Sequence, residues 1–154
     1  MKADIVIVGT GVSGLYCALN LPTDKKIIMV TKSKAEESDS FLAQGGICVL
    51  KNEEDYDSFF EDTMKAGHYE NNKKSVDIMI RSSRDVVNDL EKYGARFTKE
   101  NGEFVYTKEG AHSDKRILFH KDITGKEITS HLLEQVLKLE NVTILQNTCL
   151  LDLL

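Results

Sequence analysis

The chain has 154 residues, of which 41% are hydrophobic and 29% charged, the balance expected of a domain with a core of its own. Its formal net charge of −5 argues against a nucleic-acid-binding protein, because such proteins need a basic face. No apolar run approaches the roughly 18 residues of a membrane-spanning helix, and the run after Lys2 is too short for a signal peptide, so we expect a cytoplasmic protein without a membrane partner.

The first elements predict one mononucleotide-binding unit. Ile5–Val8 is a continuous β-branched run, typical of a strand buried on both faces of a parallel sheet. The loop Gly9–Gly14 follows, then a segment of helical character from Leu15 to Leu19 and a second buried strand over Ile27–Val30. A strand, a turn, a helix and a strand within about 30 residues are the size of such a unit.

The glycine loop has a physical reason for its spacing. Gly9 permits a tight turn after the strand, and Gly11 lets a pyrophosphate approach the backbone. Gly14 lets the helix pack close to the strand. The helix N-terminus then offers N–H groups and a partial positive charge to phosphate. The pattern therefore predicts a dinucleotide site.

The end of the second strand departs from the common dinucleotide pattern. An Asp or Glu usually stands there to accept hydrogen bonds from ribose hydroxyls. Here the position holds Thr31 and Lys32, and lysine has no acceptor. A plain NAD-dependent dehydrogenase is therefore disfavoured.

The rest of the chain predicts an α/β fold. We expect a helix over Asp55–Ala66 ended by Gly67, and a β-hairpin around Asn101-Gly102 with flanks 96–100 and 103–107. A strand is expected over Val142–Leu145. Two further helices are predicted with these buried residues: Val76, Met79, Ile80, Val87 and Leu90 within Ser75–Tyr93, and Ile128, Leu132, Leu133, Val136 and Leu137 in the later helix.

Several side chains outside the glycine loop are candidates for a functional role. Glu109, His112 and His120 lack the tight spacing of a zinc site, so we expect no metal. Arg116 is a functional candidate, with a structural ion pair as the alternative. Three cysteines without a C-x-x-C pair, Cys17, Cys48 and Cys149, are expected to be buried free thiols.

Three blocks carry a resemblance to a known family. They are Ser40-Phe41-Leu42-Ala43-Gln44-Gly45-Gly46-Ile47, Glu109-Gly110-Ala111-His112-Ser113-Asp114-Lys115-Arg116-Ile117-Leu118 and Asp122-Ile123-Thr124-Gly125. Together with the glycine loop and Val30-Thr31-Lys32, they resemble the L-aspartate oxidases, within the wider succinate dehydrogenase and fumarate reductase flavoproteins. The resemblance covers essentially the whole chain.

The resemblance implies a Rossmann-like FAD-binding domain with a central parallel sheet and a small β-hairpin. Lys32 matches the family's own lysine, and Glu109 matches a glutamate that orients the aspartate amino group. The implied cofactor residues are Gly9, Thr10, Gly11, Val12, Ser13, Gly14, Lys32, Asp39, Ser40, Phe41, Leu42, Ala43, Gln44, Gly45, Gly46, Cys149 and Leu150.

Asp39 stands where many membrane-bound relatives carry a histidine bonded covalently to the flavin. The resemblance therefore implies non-covalent FAD. One block departs from the family, since Leu118 is followed by Phe119-His120 and the histidine is displaced by one place. The role of His120 stays open.

The implied activity is oxidation of L-aspartate to iminoaspartate, with O2 or fumarate as acceptor, in quinolinate and NAD synthesis. A partnership with quinolinate synthase is a further expectation. Because the chain ends on an apolar stretch, we expect residues 1–154 to be the N-terminal part of the FAD-binding domain, inactive alone and poor at retaining FAD. Two alternatives stay open: part of a soluble fumarate reductase, or a non-catalytic nucleotide-binding module.

Overall fold

The computed structural model describes residues 2–152, so the two ends of the expected 1–154 range lie outside the described residues. The chain divides into two units. Within the described part, the first unit comprises residues 2–44, 93–95 and 125–152, and the second comprises residues 45–92 and 96–124.

The first unit contains a three-stranded parallel sheet. Its strands are β1 (Ile5–Val8), β2 (Ile27–Val30) and β7 (Val142–Leu145), in the order β1-β2-β7. Val8 pairs with Val30, and Val30 with Leu145, so all three strands end at the same edge. The predicted parallel sheet is confirmed. Three helices belong to this unit: α1 (Val12–Leu19), α2 (Asp39–Leu42) and, apart from its first residue, α5 (Thr124–Val136).

Burial of the strands corrects one prediction. All four residues of β2 are buried, as expected. In β1, however, Val6 and Val8 are 57% and 58% exposed, so the prediction of burial on both faces is wrong. Side chains alternate between the faces of a strand. The face that carries Ile7 lies against α1, while the opposite face is open to solvent among the described residues.

Helices α1 and α5 supply most of the remaining core of the first unit. Leu15 and Ala18 of α1 are buried, as are the predicted residues of α5, namely Ile128, Leu132, Leu133 and Val136. Leu137 is 68% exposed, against prediction, because α5 ends at Val136 and the helical period no longer applies.

The second unit is built on two helices, α3 (Tyr56–Ala66) and α4 (Lys73–Lys92), preceded by a 3-10 turn at Glu53–Asp55. Both predicted helices are confirmed, and Gly94 has the positive φ of +107° expected just past a helix end. The core cluster is Leu50, Phe59, Met64, Val76 and Ile80. Met79 is 48% exposed, so its predicted burial is wrong, and the buried polar Ser83 lies on the inner face of α4 instead.

Short antiparallel strands complete the second unit. β3 (Ile47–Cys48) pairs with β6 (Ile117–Leu118), and β4 (Lys99–Glu100) pairs with β5 (Glu103–Phe104). The β4–β5 hairpin turns through Asn101 and Gly102, both at positive φ, which confirms the predicted turn with shorter strands than its flanks suggested.

The cysteines differ from expectation. All three are free thiols, but Cys17 and Cys149 are exposed and Cys48 is half-buried, so the prediction of three buried thiols is wrong. Within residues 2–152, no helix has the length and apolarity needed to span a membrane.

Candidate functional site

A groove of about 530 Å³ lies in the first unit, where the strands of the parallel sheet end. In open α/β sheets, ligands bind outside these carboxyl ends. Eight of the expected cofactor residues line it: Gly9, Thr10, Gly11, Lys32, Asp39, Ser40, Cys149 and Leu150. The structure therefore brings together residues from four separate parts of the sequence.

The glycine turn needs glycine at two of its positions. Gly9 has a φ of +102°, a conformation that side chains with a Cβ rarely adopt. A Cβ at Gly14 would overlap the carbonyl oxygen of Gly9 and lie 3.3 Å from the Ile7 side chain. Helix α1 can therefore begin immediately beside the end of β1.

The N-terminus of α1 is partly capped from a distant segment. The Val12 N–H donates a hydrogen bond of 3.2 Å to the Ser40 hydroxyl oxygen. One of the first N–H groups of α1 therefore already has a partner within the protein. Ser40 itself lines the groove.

Contacts within the first unit fix the segment that carries Ser40. The Gly125 N–H donates to the Ala43 carbonyl oxygen at 2.9 Å. A Cβ at Gly125 would overlap the carbonyl oxygens of both Ser40 and Ala43. The Lys126 ammonium lies 5.6 Å from the centre of the Phe41 ring. The start of α5 thus positions α2 beside the glycine turn.

Thr10 is the most informative residue of the groove. Its side chain is 2% exposed, and its hydroxyl oxygen has no hydrogen-bond partner among the described residues. A buried hydroxyl without a partner costs free energy comparable to a lost hydrogen bond. A ligand with polar atoms in the groove could supply that partner.

Sequence reasoning missed several groove residues, which are Val8, Val30, Thr31, Glu37, Ser38 and Thr148. Glu37 matters most, because it is an acidic residue lining a groove that has no acid at the end of β2; Asp39 is the other acidic residue there. The only available signal was the pair Glu36-Glu37 in an irregular stretch, which fixes no position.

The other expected cofactor residues lie elsewhere. Val12, Ser13 and Gly14 form the first turn of α1. Phe41 and Leu42 belong to α2, and Ala43 and Gln44 are exposed after it. Gly45 and Gly46 belong to the second unit, where a Cβ at Gly46 would overlap the Leu118 carbonyl oxygen of β6.

Glu109 lies in a loop of the second unit that we call the 108–116 loop. Backbone hydrogen bonds of 3.0 Å in both directions between Thr107 and Ile117 close its base. The His112 N–H donates to the Glu109 carbonyl oxygen at 3.0 Å. The Glu109 side chain is exposed, with Oε1 lying 3.4 Å from where a Cβ at Gly45 would be.

His112 points toward a second cavity of about 490 Å³ within this unit. Its Nε2 lies 3.2 Å from the Cys48 Sγ, and its Nδ1 is buried without a partner in the described part of the chain. Burial raises the pKa of the Cys48 thiol; Arg116 opposes that rise, and Glu109 adds to it. The pair is therefore a neutral thiol against an imidazole.

Arg116 forms a buried ion-pair network. Of the two readings of this residue, a functional side chain or a structural ion pair, the structure favours the ion pair. It is fully buried and bonds to the carboxylates of Asp55 and Asp62 and to the Ser58 hydroxyl. Its guanidinium also lies 4.9 Å from the centre of the Phe59 ring. Burial lowers the pKa of Arg116, but the hydrogen bonds that it donates to the two carboxylates outweigh burial and raise that pKa overall.

Metal coordination finds no support among residues 2–152. No group of three His, Cys, Asp or Glu side chains there could hold a metal ion. The His120 Nδ1 lies 2.8 Å from the Arg96 carbonyl oxygen, which is its hydrogen-bond partner.

Comparison with known proteins finds a family and many relatives. The family described as FAD binding domain matches residues 4–154. An L-aspartate oxidase from Clostridium perfringens is 48% identical over 98% of this chain and 34% of its own length. One from Clostridium acetobutylicum is 44% identical over 100% of this chain and 36% of its own. The chain thus spans about a third of the length of these relatives.

Solved structures share the fold. An Escherichia coli quinol fumarate reductase chain superposes with a TM-score of 0.90 at 23% identity, over 96% of this chain and 26% of that one. The Mycobacterium smegmatis Sdh1 complex gives 0.83 at 26% identity, over 94% of this chain and 27% of that one.

Proposed function

The chain belongs to the FAD binding domain family, and from that premise we propose that it is the cofactor-binding part of an L-aspartate oxidase. The observation that carries the proposal is the identity of 48% to an L-aspartate oxidase over 98% of the chain. The activity, substrate and partners belong to a whole protein about three times as long as the matched segment.

The groove of the first unit fits FAD. Gly9 and Gly11 leave the backbone open to a pyrophosphate, and the buried Thr10 hydroxyl is free to donate to it. Lys32 is exposed at the groove and provides a cation for the same phosphates.

Glu37 completes the recognition of the nucleotide. The groove has no acid at the end of β2, and Glu37 is the glutamate among its lining residues. A carboxylate accepts hydrogen bonds from the ribose hydroxyls, whereas the Lys32 ammonium can only donate. Glu37→Gln should weaken FAD binding, measured by flavin fluorescence, whereas Glu36→Gln, outside this groove, should not.

FAD is held without a covalent bond. Asp39 lines the groove, and a carboxylate lacks the imidazole nitrogen of a histidyl–flavin link. Acid precipitation of the loaded protein should therefore release yellow flavin into the supernatant. Flavin that stays with the pellet would contradict this assignment.

FAD held by these residues would supply the redox chemistry, a two-electron oxidation in which L-aspartate loses a hydride from its α-carbon and a proton from its amino nitrogen to give iminoaspartate, with O2 or fumarate as the final electron acceptor. This chain contributes orientation. Glu109 is exposed on the 108–116 loop, where its carboxylate can accept hydrogen bonds from the substrate ammonium group.

The experiment uses the full gene product that contains this chain, loaded with FAD and kept free of oxygen. L-aspartate should bleach the visible flavin absorbance, and succinate should not. Bleaching by succinate alone would instead support the soluble fumarate reductase, and bleaching by neither would favour a non-catalytic nucleotide-binding module. Aspartate-dependent bleaching by residues 1–154 alone would contradict our view that this segment is inactive by itself.

The cellular location, the substrate and the fate of the product follow from the same proposal. We place the protein in the cytoplasm, with L-aspartate as substrate and iminoaspartate passed on to quinolinate synthesis. A direct complex with quinolinate synthase is the partner that this proposal adds. Co-purification of the two full-length proteins tests it.

A further inference from the structure

The 108–116 loop is tied to the body of the second unit at three successive residues. His112 contacts Cys48, Ser113 bonds to Asp62, and Asp114 pairs with Lys51 at 2.7 Å. The Asp114 pair is largely exposed, so solvent weakens it. The Asp62 contact is different, because Asp62 also belongs to the buried Arg116 network.

One oxygen of Asp62 gathers three donors. The Ser113 N–H and the Ser113 hydroxyl each donate to Oδ2 at 2.8 Å, and an Arg116 N–H donates to the same atom. Burial would raise the pKa of Asp62, but the hydrogen bonds from Ser113 and Arg116 outweigh it and hold that pKa below its ordinary value. Asp62 is therefore ionised, and its bonds to Ser113 are charge-assisted.

A short stretch of backbone connects Ser113, which bonds to Asp62, with Glu109. Ser113 directly follows His112, whose N–H closes a turn onto the Glu109 carbonyl oxygen at 3.0 Å. At the end of the loop, Arg116 pairs with Asp55 at 2.9 Å and with Asp62 in the buried network. Fixing Ser113 therefore fixes the turn that carries Glu109.

We propose that Asp62 is a positioning residue, which acts through Ser113 to hold the Glu109 turn in the orientation that receives the substrate. The proposal rests on the proposed function for its substrate, but the anchoring itself does not. Asp62 touches no substrate; its contribution is to remove the freedom of the segment that does.

Two variants test it in the full, FAD-loaded gene product. Asp62→Asn removes the charge, and Ser113→Ala removes the hydroxyl at an exposed position that leaves the core intact. Two controls match them. Glu61→Gln neutralises the neighbouring exposed carboxylate of α3, and Ser113→Thr keeps a hydroxyl at the same position.

Two readouts are needed. Hydrogen–deuterium exchange over residues 109–115 should become faster in Asp62→Asn and Ser113→Ala and stay unchanged in both controls. The KM for L-aspartate should rise on the order of tenfold in Asp62→Asn, about what one charge-assisted hydrogen bond contributes, with kcat and FAD affinity unchanged.

The outcomes test the anchoring by Asp62 separately from the proposed oxidase function. Unchanged exchange in Asp62→Asn would overturn the anchoring, whereas Ser113→Ala keeps the Ser113 N–H bond to Asp62 and tests the hydroxyl alone. Faster exchange with an unchanged KM would overturn the link to substrate while leaving the oxidase activity standing. If the wild-type protein does not oxidise L-aspartate, the proposed function fails, and the exchange data still decide whether Asp62 holds the segment. A parallel fall in kcat and FAD affinity would indicate general damage and would also contradict the proposal.

Discussion

Replacing Arg116 by methionine should unfold the second unit locally. Methionine fills a similar volume but donates no hydrogen bond. The change leaves the carboxylates of Asp55 and Asp62, whose side chains are 3% and 17% exposed, without their counter-ion.

The magnitude follows from that burial. Removing one partner of a buried ion pair costs roughly 3–5 kcal/mol, because an uncompensated charge stays behind. We expect the lower part of this range, since Asp55 keeps a 3.1 Å bond from Ser58 and Asp62 keeps Ser113. Arg81→Met is the matched control: Arg81 is 52% exposed, and its pairs with Asp77 and Glu53 should contribute about 0–1 kcal/mol.

The pH dependence of the free energy of unfolding should differ in sign between the wild type and Arg116→Met. In the wild type, the lowered pKa of Asp62 gives a stabilisation that is present above the unfolded value of about 3.9 and lost only as the pH falls through the lowered pKa. In Arg116→Met, buried carboxylates without a counter-ion have raised pKa values. Stability is then lost as the pH rises through them, so acidification from about pH 7 to about pH 5 should restore part of it.

Native-state hydrogen exchange measures this locally. The Ile117 N–H, which donates to the Thr107 carbonyl oxygen at 3.0 Å beside Arg116, reports the free energy of opening. A loss no larger in Arg116→Met than in Arg81→Met would refute the reasoning. So would a further loss on mild acidification, because protonation should relieve the unpaired carboxylates.

Three further predictions concern the groove and the thiols. Gly14→Ala should overlap the Gly9 carbonyl oxygen and lower FAD affinity at least tenfold, roughly 1–3 kcal/mol of overpacking, whereas Gly110→Ala, with open space around it, should leave fluorescence titrations unchanged. Thr10→Val should weaken FAD binding yet slightly stabilise the FAD-free protein in thermal melts, because it removes an unpartnered buried hydroxyl; destabilisation of both forms would contradict this. Cys48 should react with iodoacetamide more slowly than the two exposed thiols, as peptide mass spectrometry can follow, because burial raises its pKa; equal rates would argue against that burial.

Local sequence determined what could be predicted about the elements. The β-branched run of β2 and the glycine at position 94 specify a strand and a helix end by themselves. The exposure of Val6 and Val8 was not predictable in the same way, because their sequence pattern equals that of β2 and only the neighbouring elements decide which face is covered.

The network around Arg116, by contrast, could not be predicted from local sequence. Its partners Asp55 and Asp62 are 61 and 54 positions away, one just before α3 and one within it, among acidic residues whose sequence pattern is that of a solvated surface. A motif match could single out Arg116 but could not separate contact with a substrate from an internal ion pair. Only the fold, by placing the start of β6 against α3, makes that distinction.

Glu37 shows why the choice of nucleotide is harder to predict than its binding. The glycine turn reports only that a pyrophosphate can approach the backbone, and the residue that follows β2 usually identifies the ribose contact. Here that place holds Lys32, and the carboxylate enters the groove five residues later, from a stretch whose Ser33 hydroxyl bonds to the Glu37 carbonyl oxygen at 3.4 Å. In our proposal Glu37 is the ribose acceptor, placed in a turn and not at the end of a strand. Because a turn has no periodicity, spacing rules cannot find the residue, and the absence of an acid after β2 is weak evidence against ribose recognition in this chain.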